Sequence, residues 1–158
     1  MKESSALPLE GVRIIDMTTT LAGPYGSQLL GDFGADVIKI EAPEGDAIRN
    51  AGPRRNEGMA STFMGCNRNK RSVVLNLKKE EGKTALWKLI DSAQVFLHAI
   101  RPQKITNLGF EAAAVMSRKP EIVYAALHGY HEEGPYAGRP AYDDVIQGEA
   151  AITGTFMA

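Results

Sequence analysis

A single cysteine, Cys66, stands in a chain of 158 residues. A lone thiol excludes an internal disulfide framework and a multi-cysteine zinc site. The longest apolar run, Ile122 to Leu127, falls far short of the ~20 residues that cross a bilayer. Neither sign of charge dominates, since 18 Lys+Arg meet 19 Asp+Glu for a net −1. That balance argues against nucleic acid or an anionic membrane as a general partner. Residues 1–10 lack a signal-peptide h-region, so a cytoplasmic, reducing location is expected. Two nucleotide fingerprints are also missing. There is no G-x-x-x-x-G-K-[ST] segment, and Ala22-Gly23-Pro24-Tyr25-Gly26 is not G-x-G-x-x-G, because Pro24 removes a backbone donor. Neither a nicotinamide or flavin cofactor nor a metal is expected.

What is present fits an ordinary globular domain, with 44% apolar and 23% charged residues. A chain of this length can bury roughly two-thirds of its unfolded surface without a metal or disulfide. Charge is unevenly placed. Residues 1–48 hold three basic and eight acidic side chains, whereas 49–83 hold nine basic and three acidic. A solvated face and a local site for phosphates of a small ligand both fit that pattern.

Strand and helix signals alternate. Val12 to Ile15 reads as a first strand, Tyr25 to Phe33 as a helix with Pro24 at its start, and Gly34 as its left-handed stop. Val37 to Ile40 follows as a second strand, completing a right-handed βαβ unit. Asp46 to Arg71, punctuated by Gly52, Pro53, Gly58 and Gly65, reads as an excursion. Ser72 to Leu77, Val95 to Leu97 and Ile122 to Leu127 are further strands, the last apolar enough for a central position. Glu80 to Ser92, Pro102 to Leu108, Glu111 to Arg118 and Tyr142 to Ala151 are helical. The expected fold is α/β, a Rossmann-like doubly wound, mainly parallel sheet with helices on both faces.

Ligands of such sheets lie beyond the carboxyl ends of the strands, here Thr18–Pro24, Ala42–Arg49, Lys78, Ala99–Arg101 and Gly129–Asp143. Glu41 occupies the place of a ribose-binding carboxylate. Cys66 reads as a small packing residue, and His98 as a strand-end histidine satisfied by backbone. His128 and His131 are loop residues that could touch a ligand or only solvent. Asp143, Asp144 and Glu149 sit where carboxylates favour a helix start. On these residues alone the chain binds an anionic small molecule, and no spacing demands acid–base catalysis.

Longer stretches carry more. Leu9-Glu10-Gly11-Val12-Arg13-Ile14-Ile15-Asp16-Met17-Thr18, then Ala22-Gly23-Pro24, then Leu30-Gly31-Asp32-Phe33-Gly34-Ala35-Asp36-Val37-Ile38-Lys39-Ile40-Glu41, occur in that order. Asn67-Arg68-Asn69-Lys70-Arg71-Ser72, Leu75 to Lys78, Glu81-Gly82, Arg101-Pro102, Leu108-Gly109, Gly134-Pro135-Tyr136 and Arg139 to Asp143 follow. The whole series resembles the amino-terminal part of the class III CoA-transferases. These are relatives of formyl-CoA transferase, carnitine CoA-transferase and α-methylacyl-CoA racemase.

The resemblance implies transfer of CoA from an acyl-CoA thioester to a small carboxylic acid through an aspartyl intermediate. It implies that Leu21 and Ala22 lie near the thioester. Leu75, Asn76, Leu77, Lys78, Ala99, Ile100, Arg101, Pro140, Ala141, Tyr142 and Asp143 would line CoA. Lys78, Arg101, Arg71 and Lys104 are the cations offered to its phosphates. Some positions depart from the family: Ala99-Ile100 for Asn-Phe, Asn107 for Arg, and Ala42 for an Arg of some relatives. Tyr142 replaces the racemases' His, which favours transferase over racemase. The family's nucleophilic Asp is expected beyond Ala158, so no catalytic residue is assigned within 1–158 and the chain alone is expected to be inactive. The small domain and the carboxy-terminal return segment are likewise expected outside it. Full-length relatives form interlocked homodimers, so the 158-residue chain is expected to self-associate through an uncovered apolar face. A racemase portion and a non-catalytic CoA-binding or subunit-pairing module are the alternatives.

Overall fold

A computed structural model describes residues 7–155. Segment 1–6, part of the stretch read as lacking an h-region, and the terminal 156–158 lie outside the described residues. Five strands, β1 (Arg13–Met17), β2 (Asp36–Glu41), β3 (Lys70–Val74), β4 (Val95–His98) and β5 (Val123–Ala126), form one sheet in the order β3-β2-β1-β4-β5. Every pairing is parallel. The order reverses between β1 and β4, which is the switch point of a doubly wound sheet. The expected α/β fold is the one observed.

Helices α1 (Ala22–Asp32), α2 (Ser61–Asn67), α3 (Glu80–Asp91), α4 (Pro102–Leu108), α5 (Ala112–Arg118), α6 (Asp143–Glu149) and α7 (Ile152–Thr155) complete the chain. Strand alternation sends neighbouring side chains to opposite faces. Ile15, Ile38 and Phe96 meet Leu86 and Ile90 of α3, Ile105 of α4 and Val115 of α5. Ile14, Val37 and Leu97 point to the other face, where Leu30 of α1 packs. Full burial of an Ile, Leu or Phe side chain contributes roughly 1.5–3 kcal/mol, so the α3–α5 face, with Leu86, Ile90 and Phe96 all at 0% exposure, holds most of the core.

Gly34, at φ 102°, follows α1 in the left-handed conformation expected for it. Three expectations need correction. β5 pairs with β4 alone, at a sheet edge, and Val123 is 59% exposed. Apolar composition had suggested a central strand, but among the described residues no strand lies beyond it. The excursion at 46–71 contains a 3-10 turn (Ala47–Asn50), helix α2 and the first residues of β3, hidden by the flanking glycines. β3 also ends at Val74, and Leu75–Leu77 leave the sheet. Leu75 N–H still donates to the Glu41 carbonyl at 2.9 Å, after which the chain turns toward α3.

Candidate functional site

The carboxyl ends of the first four strands surround an open, mainly apolar slot of about 290 Å³. Met17 and Thr19 follow β1, Ala42 to Glu44 follow β2, and Leu75 to Lys78 follow β3. Ile100 after β4 and Leu108 of α4 close the far wall. The Leu75–Lys78 turn is shaped locally. Asn76 Oδ1 accepts from Lys78 N–H at 3.0 Å, a side-chain turn that Asn favours. A Cβ on Gly82 would collide with the Asn76 carbonyl, so only glycine lets α3 begin this close to the slot.

Below the slot the strand ends are tied by buried charge. Lys39 Nζ donates to the Thr18 carbonyl at 2.8 Å and lies 2.9 Å from Asp46 Oδ2, with both side chains no more than 1% exposed. The second contact is an ion pair without hydrogen-bond alignment. Asp46 Oδ1 accepts from Ile48 N–H at 3.2 Å and Thr20 N–H at 3.3 Å. Thr20 stands at φ 71°, a left-handed backbone that this carboxylate helps to hold. Asp16 accepts from the hydroxyls of Thr18 and Ser27, and Lys70 Nζ lies 3.2 Å from it. Burial pulls the Lys70 ammonium below its usual pKa, and the Asp16 carboxylate opposes that pull.

Glu41 is fully occupied. Arg49 binds both its oxygens at 2.6 and 2.7 Å, and Ser72 Oγ and Asp46 N–H donate to it as well. Burial alone would raise its pKa, but these donors, Arg49 first, hold it at about 2. A carboxylate so engaged has no lone pair to offer a ribose. The Arg49 guanidinium also lies 3.8 Å from the Phe63 ring centroid, fastening the 3-10 turn to α2.

Of the nine cations in 49–83, five are spent on structure: Arg49 on Glu41, Arg68 on Asp32, Lys70 on Asp16, Arg71 on Asp36 and Lys83 on Glu80. The charge cluster is therefore mostly an ion-pair lattice. Arg71 does not join the slot. Asp36, its partner at 2.6 Å, opens β2, so Arg71 points to the amino ends of the strands, opposite the ligand end. Lys78, Arg101 and Lys104 are exposed and hold no ion pair among the described residues.

Of the residues expected to line CoA, the structure gathers Leu75, Asn76, Leu77, Lys78 and Ile100 on the slot. Ala99 and Arg101 flank Ile100. Leu21 and Ala22 are exposed at the start of α1. Pro140 and Ala141 precede α6; Tyr142 is 74% exposed, and Asp143 accepts from Gln147 Nε2 at 2.7 Å. None of these four reaches the slot lining. Thr19 and Pro43 of the slot lie inside the Thr18–Pro24 and Ala42–Arg49 segments expected beyond the strand ends, whereas residue-level reading missed Met17, Leu108 and the Lys39–Asp46 pair. The last had a signal, since a lysine inside the apolar strand Val37-Ile38-Lys39-Ile40 needs a buried partner. His98 is satisfied by backbone as expected, with Nδ1 accepting from Ile100 N–H at 3.1 Å. His131 Nδ1 accepts from Glu133 N–H at 3.2 Å, and Cys66 is half-buried in α2.

The structure thus sets an apolar slot at the switch point of a Rossmann-like sheet, with Lys78, which holds no ion pair among the described residues, in its lining. Residues 9–156 match CoA-transferase family III, and the chain belongs to that family. It is 41% identical to the "Probable fatty acyl-CoA transferase Rv3272" of Mycobacterium tuberculosis, over 94% of this chain and 38% of that protein. It is 38% identical to the succinyl-CoA:glutarate CoA-transferase of Mus musculus, over 95% of this chain and 35% of that one. The crystal structure of a CAIB/BAIF family protein from Brucella suis superposes with a TM-score of 0.88 at 36% identity, covering 93% of this chain and 40% of its own. The chain thus spans little more than a third of the length of these relatives.

Proposed function

We propose that the protein to which this chain belongs moves CoA from an acyl-CoA thioester to a small carboxylic acid, and that residues 7–155 supply the CoA-binding part. The observation that carries this reading is the apolar slot with Lys78 at its rim. Its walls, including Leu75, Leu77, Ile100 and Leu108, suit a flat or aliphatic group. Lys78 after β3, with Arg101 and Lys104 in the turn and helix that follow β4, suits a diphosphate and a 3′-phosphate. The thioester end then runs toward Leu21 and Ala22 at the start of α1.

The nucleophilic carboxylate is assigned to none of the described aspartates. Asp16 and Asp46 are buried in ion pairs, Asp32, Asp36 and Asp91 are bound by arginines, Asp143 accepts from the Gln147 side-chain amide, and Asp144 stands beside it in the first turn of α6. In this reading the 158-residue chain binds CoA and does not turn over. The reading also includes self-association. Leu21, Tyr25, Leu29 and Phe33 recur every four residues along α1 and are 39–53% exposed, an apolar stripe suited to a second copy.

Calorimetric titration of the chain with CoA tests the binding claim, with Lys78→Ala expected to weaken affinity by about five- to tenfold. No heat at millimolar CoA overturns it. Turnover well above a buffer blank, with several acyl-CoA donors and carboxylates, overturns the assignment of the nucleophile.

A further inference from the structure

Both polar atoms of Ile100 are held by imidazoles. His98 Nδ1 accepts from the Ile100 N–H at 3.1 Å. His128 Nε2 lies 3.0 Å from the Ile100 carbonyl oxygen, and a carbonyl can only accept, so Nε2 carries the proton. The same logic fixes His98. With Nδ1 accepting, the neutral ring has its proton on Nε2, which donates to Tyr124 Oη at 2.8 Å. The tyrosine hydroxyl in turn donates to the Phe110 carbonyl at 3.0 Å. Donors and acceptors therefore run in one direction from Ile100 through His98 and Tyr124 to the end of α4.

Packing reinforces the arrangement. The His98 and His128 rings meet edge-on at 5.8 Å, and Tyr124 meets His98 at 5.2 Å. Burial keeps the His98 ring neutral, with a pKa pushed down to about 4. His128 Nδ1 lies 3.2 Å from Glu132 Oε1, a contact that ties the loop after β5 to the same point when the ring carries a proton on both nitrogens. Ile100 forms part of the slot wall, and Arg101 after it is the N-cap of α4.

We infer that His98 and His128 are positioning residues that clamp Ile100 from its two backbone sides and so set the slot wall and the Ala99–Arg101 turn. The ligand that meets this turn is the CoA of the proposed function, and the clamp rests on that reading only for the ligand's identity. A histidine that merely filled the core would not direct bonds at both ends of one slot-lining residue.

Three variants of the 158-residue chain separate the bonds. His98→Asn keeps an acceptor near Nδ1 and loses the Tyr124 contact. His98→Gln keeps a donor near Nε2 and loses the acceptor. His128→Phe removes the donor to the Ile100 carbonyl. Nitrogen-15 spectra of the wild-type chain should show His98 as the Nε2–H tautomer. Hydrogen exchange at the Ile100 amide should quicken at least about tenfold in His98→Gln and stay near wild type in His98→Asn. CoA affinity should fall about three- to tenfold in His98→Gln and His128→Phe and be rescued in His98→Asn.

An Nδ1–H tautomer, or equal exchange in the Asn and Gln variants, overturns the clamp. Absence of CoA binding by the wild-type chain overturns the proposed function, while tautomer and exchange still decide the clamp. Should the His98 variants not fold, the wild-type tautomer and the His128→Phe affinity decide it.

Discussion

The two sides of the switch point hold the same slot with different chemistry. On the β1–β3 side the strand ends are locked by buried ions: Asp16 with Lys70, Lys39 with Asp46, and Glu41 with Arg49. On the β4–β5 side the locks are neutral: the His98–Tyr124–Phe110 chain and the His128 bond to Ile100. The ionic side joins distant segments, Thr18 to Lys39 to Asp46, and fixes a left-handed Thr20. The neutral side acts on one residue. Charged locks are worth most as complete pairs, because a single buried ion left behind is far costlier than the intact pair is stabilising. Neutral locks fail gradually, one hydrogen bond at a time.

The largest effect should therefore come from breaking a buried pair. Asp46→Ala strands the Lys39 ammonium at about 1% exposure and removes the acceptor of Thr20 N–H, so urea denaturation should show a loss of about 3–5 kcal/mol. The double variant Lys39→Met with Asp46→Leu should recover most of that loss, because no ion is then buried. If Asp46→Ala costs no more than an exposed substitution, the ionic side is not the stronger lock.

Acid should separate the two sides by pH. His98 has its folded pKa near 4, against 6.5 in the open chain, because burial disfavours the cation and His128 adds to the effect. The unfolded chain then binds more protons between those values, so this contribution is intact above pH 6.5 and fades as pH falls toward 4. The total is up to about 3 kcal/mol at 1.4 kcal/mol per unit. The fold favours the charged form of Glu41 where it favours the neutral form of His98, yet both pKa values are depressed, so Glu41 erodes in the same direction at lower pH. Its carboxylate, at about 2 against 4.5, contributes fully above pH 4.5 and is lost as pH drops through 2. Stability curves against pH should thus fall in two stages. His98→Asn should flatten the upper stage alone, and Glu41→Gln the lower alone. A single stage centred on the carboxylate range would remove the neutral side from the comparison.

The sheet was legible in the sequence because each strand is short, β-branched and bounded by turn residues, and because Gly34 could only end α1. The place of the slot was legible as a set of segments, since parallel topology fixes where the carboxyl ends meet. Pairing partners were not. Nothing in the local pattern told that Arg49 would fold back onto Glu41 or that Lys39 would find Asp46, contacts that exist only once α2 and β3 have placed the 42–74 segment. β5 misled for the converse reason: apolar content reports what a strand can bury, not which neighbours lie beside it.

Arg71 gives the smallest and sharpest test. Sequence order set it just before Leu75–Lys78, and the resemblance offered it to a phosphate of CoA. In the fold it lies across from Asp36 at the amino edge of the sheet, its guanidinium on both carboxylate oxygens at 2.6 and 2.7 Å. Arg13 shares the same carboxylate, so Asp36 keeps a partner when Arg71 is removed. The Arg71 side chain is 63% exposed, and exposed ion pairs contribute about 0–1 kcal/mol. Arg71→Ala should therefore change stability by less than about 1 kcal/mol and leave the CoA titration unchanged, where Lys78→Ala weakens it. An equal loss of affinity in both variants would place the phosphates at the amino ends of the strands and reverse the orientation of the site.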